Sequence, residues 1–266
     1  MKLHVDGAPA ANAGDALPLV MVHGWGMNLR TFDPLRAALG DVPTLAVDLP
    51  GHGRSPWQDG AGSFQALCAA VLDALPPRCH LLGWSLGGKV ALALAARHPE
   101  RIERLVLLAA TPKFAHSPDW PQGMAAPAMA AFREILEQDW RETLQDFIEL
   151  QVRGTRQAGE VARTLSQALL EHGEPRRDAV MAGMRLLEDV DLRALVPHVR
   201  QPVLVVTGRN DRVTPPGAAQ WLADTLPAAE AHILPRAGHA PHLSHAGEVA
   251  GLLRRFITAP CAEAGA

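Results

Sequence analysis

Short apolar runs rich in leucine and β-branched residues recur along the chain at 19–22, 44–47, 80–82, 105–108, 203–206 and 232–234. Each is followed by a turn signal and then by a longer segment of helical periodicity. That alternation builds a mostly parallel sheet covered by helices on both faces. Two of the helices carry clear boundary signals. One spans 63–75 with Ser63 as its N-cap, and the other spans 86–97 and is closed by His98-Pro99. Between about 113 and 189 the β pattern stops. The segment is periodic in Ala, Leu, Phe and Met, with Pro or Gly breaks near 121, 154, 173 and 175. Strand pattern resumes at 202–208, so the simplest organisation is one α/β core made of 1–112 and 190–266, interrupted at 113–189 by a cap of about four helices. The terminal APCAEAGA is expected to fray.

Composition narrows this picture. With 266 residues, 48% hydrophobic and 20% charged, the chain has enough apolar material for one large core. Its apolar runs are broken within about ten residues, short of the roughly 20 needed to cross a bilayer. The N-terminus lacks an apolar signal core, which favours the cytoplasm. A net charge of -3 gives no electrostatic case for nucleic acid. Cys68, Cys79 and Cys261 have no metal-ligand or disulfide spacing and read as inert thiols. No phosphate-binding glycine loop and no H-E-x-x-H metal motif is present, so neither a nucleotide nor a metal is expected.

The chemistry sits at strand ends. Gly83-Trp84-Ser85-Leu86-Gly87 fits G-x-S-x-G, a pattern that recurs by chance in roughly one chain in ten of this length. Here it lies where the strand CHLLGW gives way to a helix, the context of a sharp turn that exposes a nucleophilic serine. A serine hydroxyl needs a base, and the base needs an acid to fix its tautomer. Asp211 follows the strand PVLVVTG, and His239 follows the run AHILP. Loops after parallel strands share one rim, so the three residues can meet. His242 and His245 compete with His239, while Asp189 and Asp191 precede their strand and lie at the wrong end. The oxyanion of an acyl-transfer intermediate needs two backbone donors. Leu86 offers one, and Trp25 in His23-Gly24-Trp25-Gly26 offers the other; His23 reads as a structural loop histidine.

Taken together, HGWG, DLPGHGRS, GWSLGG, NDRVTP and AGHAP resemble the α/β-hydrolase superfamily across nearly the whole chain. The segments HGWGMN, GWSLGGKVA, DWP, FIELQVRGT, LLEDVDLR and AGHAPHLSHA resemble more narrowly the BioH-type carboxylesterases of biotin synthesis. That resemblance implies the α/β-hydrolase fold, no cofactor, and hydrolysis of the methyl ester of pimeloyl-acyl-carrier protein. It also implies a substrate pocket formed by Trp25, Ser85, Leu86 and His239 with Phe147, Ile148, Glu149, Leu150 and Gln151 from the cap. By periodicity alone, Phe147 is equally a core position of an amphipathic helix.

The family holds its acidic carrier protein with cap arginines. Arg163 matches one such position, whereas Glu142, Asp146 and Gly159 stand at three others. Arg141, Arg153 and Arg156 lie close by and are candidates to rebuild a basic face, or are ordinary solvated residues. A monomer is expected, acting on carrier-bound or small free esters. The rival readings are a broad-specificity carboxylesterase and a non-catalytic binding protein of the same fold. Dehalogenases and epoxide hydrolases need a carboxylate nucleophile, which Ser85 is not.

Overall fold

The computed structural model describes residues 1–7 and 16–259; Cys261 and the expected frayed tail beyond Ala259 lie outside them. Among the described residues seven strands form one sheet: β1 (Val5–Asp6), β2 (Leu19–Val22), β3 (Thr44–Val47), β4 (Cys79–Trp84), β5 (Ile102–Leu108), β6 (Val203–Gly208) and β7 (Ala229–Leu234), in the order β1-β3-β2-β4-β5-β6-β7. All neighbours pair in parallel except β1, which joins β3 antiparallel through Val5 and Val47. The six apolar runs of the sequence all lie within β2 to β7. The edge strand β1 is two half-buried residues and gives no such run.

Strands β2, β4 and β6 are buried throughout, as strands covered on both faces must be. Alternate side chains enter two separate cores. Val20, Val22, Leu81, Leu105, Leu107, Val203 and Val205 face one, while Leu19, Met21, Leu82, Val106, Leu108, Leu204 and Val206 face the other. The helices between and after the strands are α1 (Asp33–Leu39), α2 (Phe64–Ala74), α3 (Leu86–Arg97), α4 (Ala126–Gln138), α5 (Trp140–Val152), α6 (Ala158–His172), α7 (Arg177–Asp189), α8 (Pro216–Thr225), α9 (Pro241–Ser244) and α10 (Ala246–Thr258). Residues of α2, α3 and α8 fill the first core; α1 and α10 fill the second.

Ser63 caps α2, accepting a hydrogen bond from the Ala66 N–H. Asp139 does the same for α5 through the Arg141 and Glu142 N–H groups. Helices α4 to α7 occupy the interval between β5 and β6. Among the described residues no helix is long and apolar enough to cross a membrane. Burial raises the thiols of Cys68 and Cys79 to about 12, so both stay protonated and inert at neutral pH.

Candidate active site

Ser85 sits between β4 and α3 with φ 56° and ψ -116°, a positive-φ conformation that costs a serine about 1–3 kcal/mol and is tolerated where surroundings enforce it. Its N–H donates to Leu108 O at 3.0 Å, tying the turn to β5, and its carbonyl accepts from Gly88 N–H at 2.9 Å as α3 begins. The flanking glycines are required by contact. A Cβ on Gly83 would lie 2.2 Å from Gly87 O, and one on Gly87 would lie 2.2 Å from Val22 O. The turn thus packs against its own helix and against β2, leaving the serine side chain at the carboxyl rim of the sheet.

Asp211 and His239 reach the same rim from the ends of β6 and β7. His239 Nδ1 lies 2.9 Å from Asp211 Oδ2, with both side chains buried. The carboxylate is well supplied with donors. Val213 and Thr214 N–H groups donate to Oδ1, each at 2.8 Å, and the Thr214 hydroxyl donates to Oδ2 at 2.8 Å. Such a carboxylate fixes the imidazole as the tautomer protonated at Nδ1, which leaves a lone pair on Nε2. Nε2 is buried and has no hydrogen-bond partner in this structure. A nitrogen held this way is free to take a proton.

The backbone of His239 is fixed from two sides. Its N–H donates to Gln151 O at 2.9 Å, and its carbonyl accepts from the Trp84 indole at 2.8 Å. The other histidines have different surroundings. His242 packs edge-on against Trp84 at 4.5 Å, and burial lowers it to about 3, so it is neutral. His245 pairs with its neighbour Ser244. His23 accepts from Leu49 N–H at 2.9 Å and bonds Gly24 O, a loop role. Asp191 binds Arg193 and Lys113, away from the serine.

Trp25 follows Gly24, which lies against Ser85: a Cβ on Gly24 would be 3.2 Å from Ser85 Cβ. Leu86 opens α3, where the first N–H groups have no intrahelical acceptor. The Trp25 indole donates to Val180 O at 2.9 Å and meets the Phe147 ring edge-on at 5.1 Å and Phe132 at 5.8 Å. Of the other α5 residues read as pocket-forming, Ile148 and Gln151 are buried, Leu150 is half-buried, and Glu149 points to solvent. The Gln151 amide is buried with neither its oxygen nor its nitrogen bonded. Among the arginines read as docking candidates, Arg141 pairs with Glu174 at 2.9 Å and stacks on Trp140; Arg153, Arg156 and Arg163 are exposed.

Sequence reading did not single out Thr214 or the Gln151 carbonyl. The threonine lies three residues after Asp211, the spacing of an aspartate turn, which was the available signal. Away from the triad, ligand atoms of His4, Asp48 and His172 lie within 4.8 Å of one another. The His172–Asp48 bond of 2.7 Å already satisfies two of these groups.

Serine at a strained strand-to-helix turn, an aspartate-bound histidine at the same rim and a parallel sheet define the α/β-hydrolase class. Residues 19–252 match the model of the alpha/beta hydrolase family, and the chain belongs to that family. An esterase from Exiguobacterium antarcticum superposes with a TM-score of 0.86 at 21% identity, covering 97% of this chain and 96% of that one. Within the class, the chain belongs with the pimeloyl-[acyl-carrier protein] methyl ester esterases. It is 42% identical to the one from Nitrosomonas europaea over 87% of this chain and 92% of that protein. It is 40% identical to the one from Stenotrophomonas maltophilia, covering 91% and 93%.

Proposed function

We propose that this protein is a serine carboxylesterase that hydrolyses the methyl ester of pimeloyl-[acyl-carrier protein] to pimeloyl-[acyl-carrier protein] and methanol in biotin biosynthesis. The observation that carries the reading is Ser85 at its strained turn after β4, whose neighbour Trp84 bonds the His239 carbonyl, on the same sheet rim as the buried His239–Asp211 pair, in a chain this similar to those esterases. Ser85 Oγ attacks the ester carbonyl as His239 Nε2 takes its proton, and Asp211 stabilises the imidazolium. The N–H groups of Trp25 and Leu86 receive the oxyanion. Collapse of the tetrahedral intermediate breaks the bond to the methoxy oxygen, which His239 protonates so that it leaves as methanol. Water, deprotonated by the same base, then cleaves the acyl-enzyme and restores Ser85.

Residues 113–189 act as a cap over this site. Phe147 and Trp25 offer ring surfaces to the aliphatic chain, and the unbonded Gln151 amide offers a polar group inside the apolar pocket. Ser85 is 8% and His239 1% exposed, so the reacting groups are shielded from bulk water. The enzyme works as a cytoplasmic monomer without a cofactor or metal.

The test compares carrier-bound pimeloyl methyl ester with the free monomethyl ester, with Ser85→Ala as control. A much higher kcat/KM on the carrier-bound ester, abolished in Ser85→Ala with the fold intact, is expected. Equal turnover of both esters identifies a general esterase instead, and activity in Ser85→Ala removes the nucleophile assignment.

A further inference from the structure

Three loops meet at the rim beside His239, and hydrogen bonds to their backbones hold them together. Asn210 Nδ2 donates to Gly154 O at 2.7 Å, Arg156 N–H to Arg236 O at 3.2 Å, and Asn210 N–H to Ala237 O at 2.9 Å. His239 N–H itself donates to Gln151 O in the same seam. The segments are 151–156 at the end of α5, 208–212 at the end of β6 and 234–239 at the end of β7. Between them they carry five arginines, Arg153, Arg156, Arg209, Arg212 and Arg236.

All five side chains are exposed, and none makes a hydrogen bond or ion pair among the described residues. The one carboxylate in these loops, Asp211, is buried and bound to His239. The acidic residues nearest in sequence, Glu149 and Glu160, lie on α5 and α6 on either side of the first loop and pair with none of the five. Elsewhere in the cap Arg141 pairs with Glu174 and Arg133 with Glu188, while Arg163 stands exposed on α6 away from these three loops. A cluster of unpaired guanidinium groups is a strong local positive field in a protein of net charge -3.

Building on the proposed activity, we infer that the carrier protein docks on this seam. Its acidic face and prosthetic-group phosphate meet Arg153, Arg156, Arg209, Arg212 and Arg236, so that docking is shared between the cap loop and two loops of the sheet domain. Guanidinium forks suit both partners, since they bind carboxylate and phosphate bidentately. The position is right as well, because the seam that bears the arginines also bears the catalytic histidine. An acyl arm anchored there enters the site along the line where cap and rim meet. The outward cap helices are poorer candidates, carrying Glu142 and Asp146 on α5.

The experiment measures kcat/KM on carrier-bound and free monomethyl pimelate for the wild type, for Arg153→Glu/Arg212→Glu/Arg236→Glu, for the matching triple lysine variant, and for Arg163→Glu. Charge reversal at a docking rim acts mainly on association, so the triple glutamate variant should lose about tenfold or more on the carrier-bound ester and less than about twofold on the free ester. Lysines should restore most of the loss, Arg163→Glu should change little, and raising salt should shrink the wild-type advantage. Three results overturn the inference: undiminished turnover of the carrier-bound ester by the triple glutamate variant, an equal loss on both esters, or a larger loss from Arg163→Glu. A wild type that does not prefer the carrier-bound ester overturns the proposed function as well; a wild-type preference that survives charge reversal overturns the docking site alone.

Discussion

Asp211 Oδ2 divides its bonding between His239 Nδ1 and the Thr214 hydroxyl, which also lies 3.3 Å from the same ring nitrogen. The threonine therefore fixes the plane of the carboxylate and draws part of its charge away from the imidazole. Thr214→Val should lower kcat by about tenfold, or about 1.4 kcal/mol, with KM held, since the lost bond orients the base rather than the substrate. Thr214→Ser should restore the rate, and an unchanged kcat in Thr214→Val would show that Asp211 is held by its backbone donors alone. Ser85, Asp211 and His239 could be picked out in the sequence because each ends a strand in a recognisable turn. Thr214 was only half legible: the aspartate-turn spacing brings its N–H to the carboxylate, but does not say which oxygen its hydroxyl reaches.

At the scale of elements, the strands were legible because β2 to β6 are apolar runs buried on both faces, while β1 depends on its pairing with β3 and has no pattern of its own. The docking of α7 against the site was not legible. Gly183 reads as a helix-weakening glycine, yet a Cβ there would lie 2.5 Å from Trp25 Cδ1 and 3.0 Å from its Nε1. The indole lies along α7 between the Val180 carbonyl and this glycine, with Phe147 of α5 closing its other side. A buried ring cannot yield as a flexible chain end would. Gly183→Ala should therefore cost about 1–3 kcal/mol of stability by overpacking, despite the better helix propensity of alanine. It should also reduce kcat/KM on every ester by displacing Trp25. A gain in melting temperature with unchanged kinetics would show that the ring is not confined by α7.

For the molecule as a whole, Lys89 is an unexpected cost. It lies on α3 just beyond the Ser85 turn, fully buried, with Nζ donating to Val190 O at 2.7 Å just after α7. Burial, opposed by Asp191 and reinforced by Lys113, lowers its pKa from 10.5 to about 7. The folded state thus binds fewer protons than the unfolded state between those values, and this residue's contribution to stability rises with pH across that window, by up to about 1.4 kcal/mol per unit. Below pH 7 its full penalty applies. Cys68 and Cys79 act in the opposite sense above pH 9, so the effect must be read as a difference between proteins. Lys89→Met should be more stable than the wild type at pH 6.5, with the gap closing toward pH 10 in denaturant titrations; a gap constant with pH would show that the ammonium is not being desolvated. The bond from His239 N–H to Gln151 O bears on a different undertaking, the exchange of caps between related hydrolases to transplant specificity. Here such an exchange is not modular, because a donor cap that lacks the turn after α5 takes away a support of the histidine along with the old pocket wall. A chimera keeping residues 151–156 from this protein tests the point against one that replaces them.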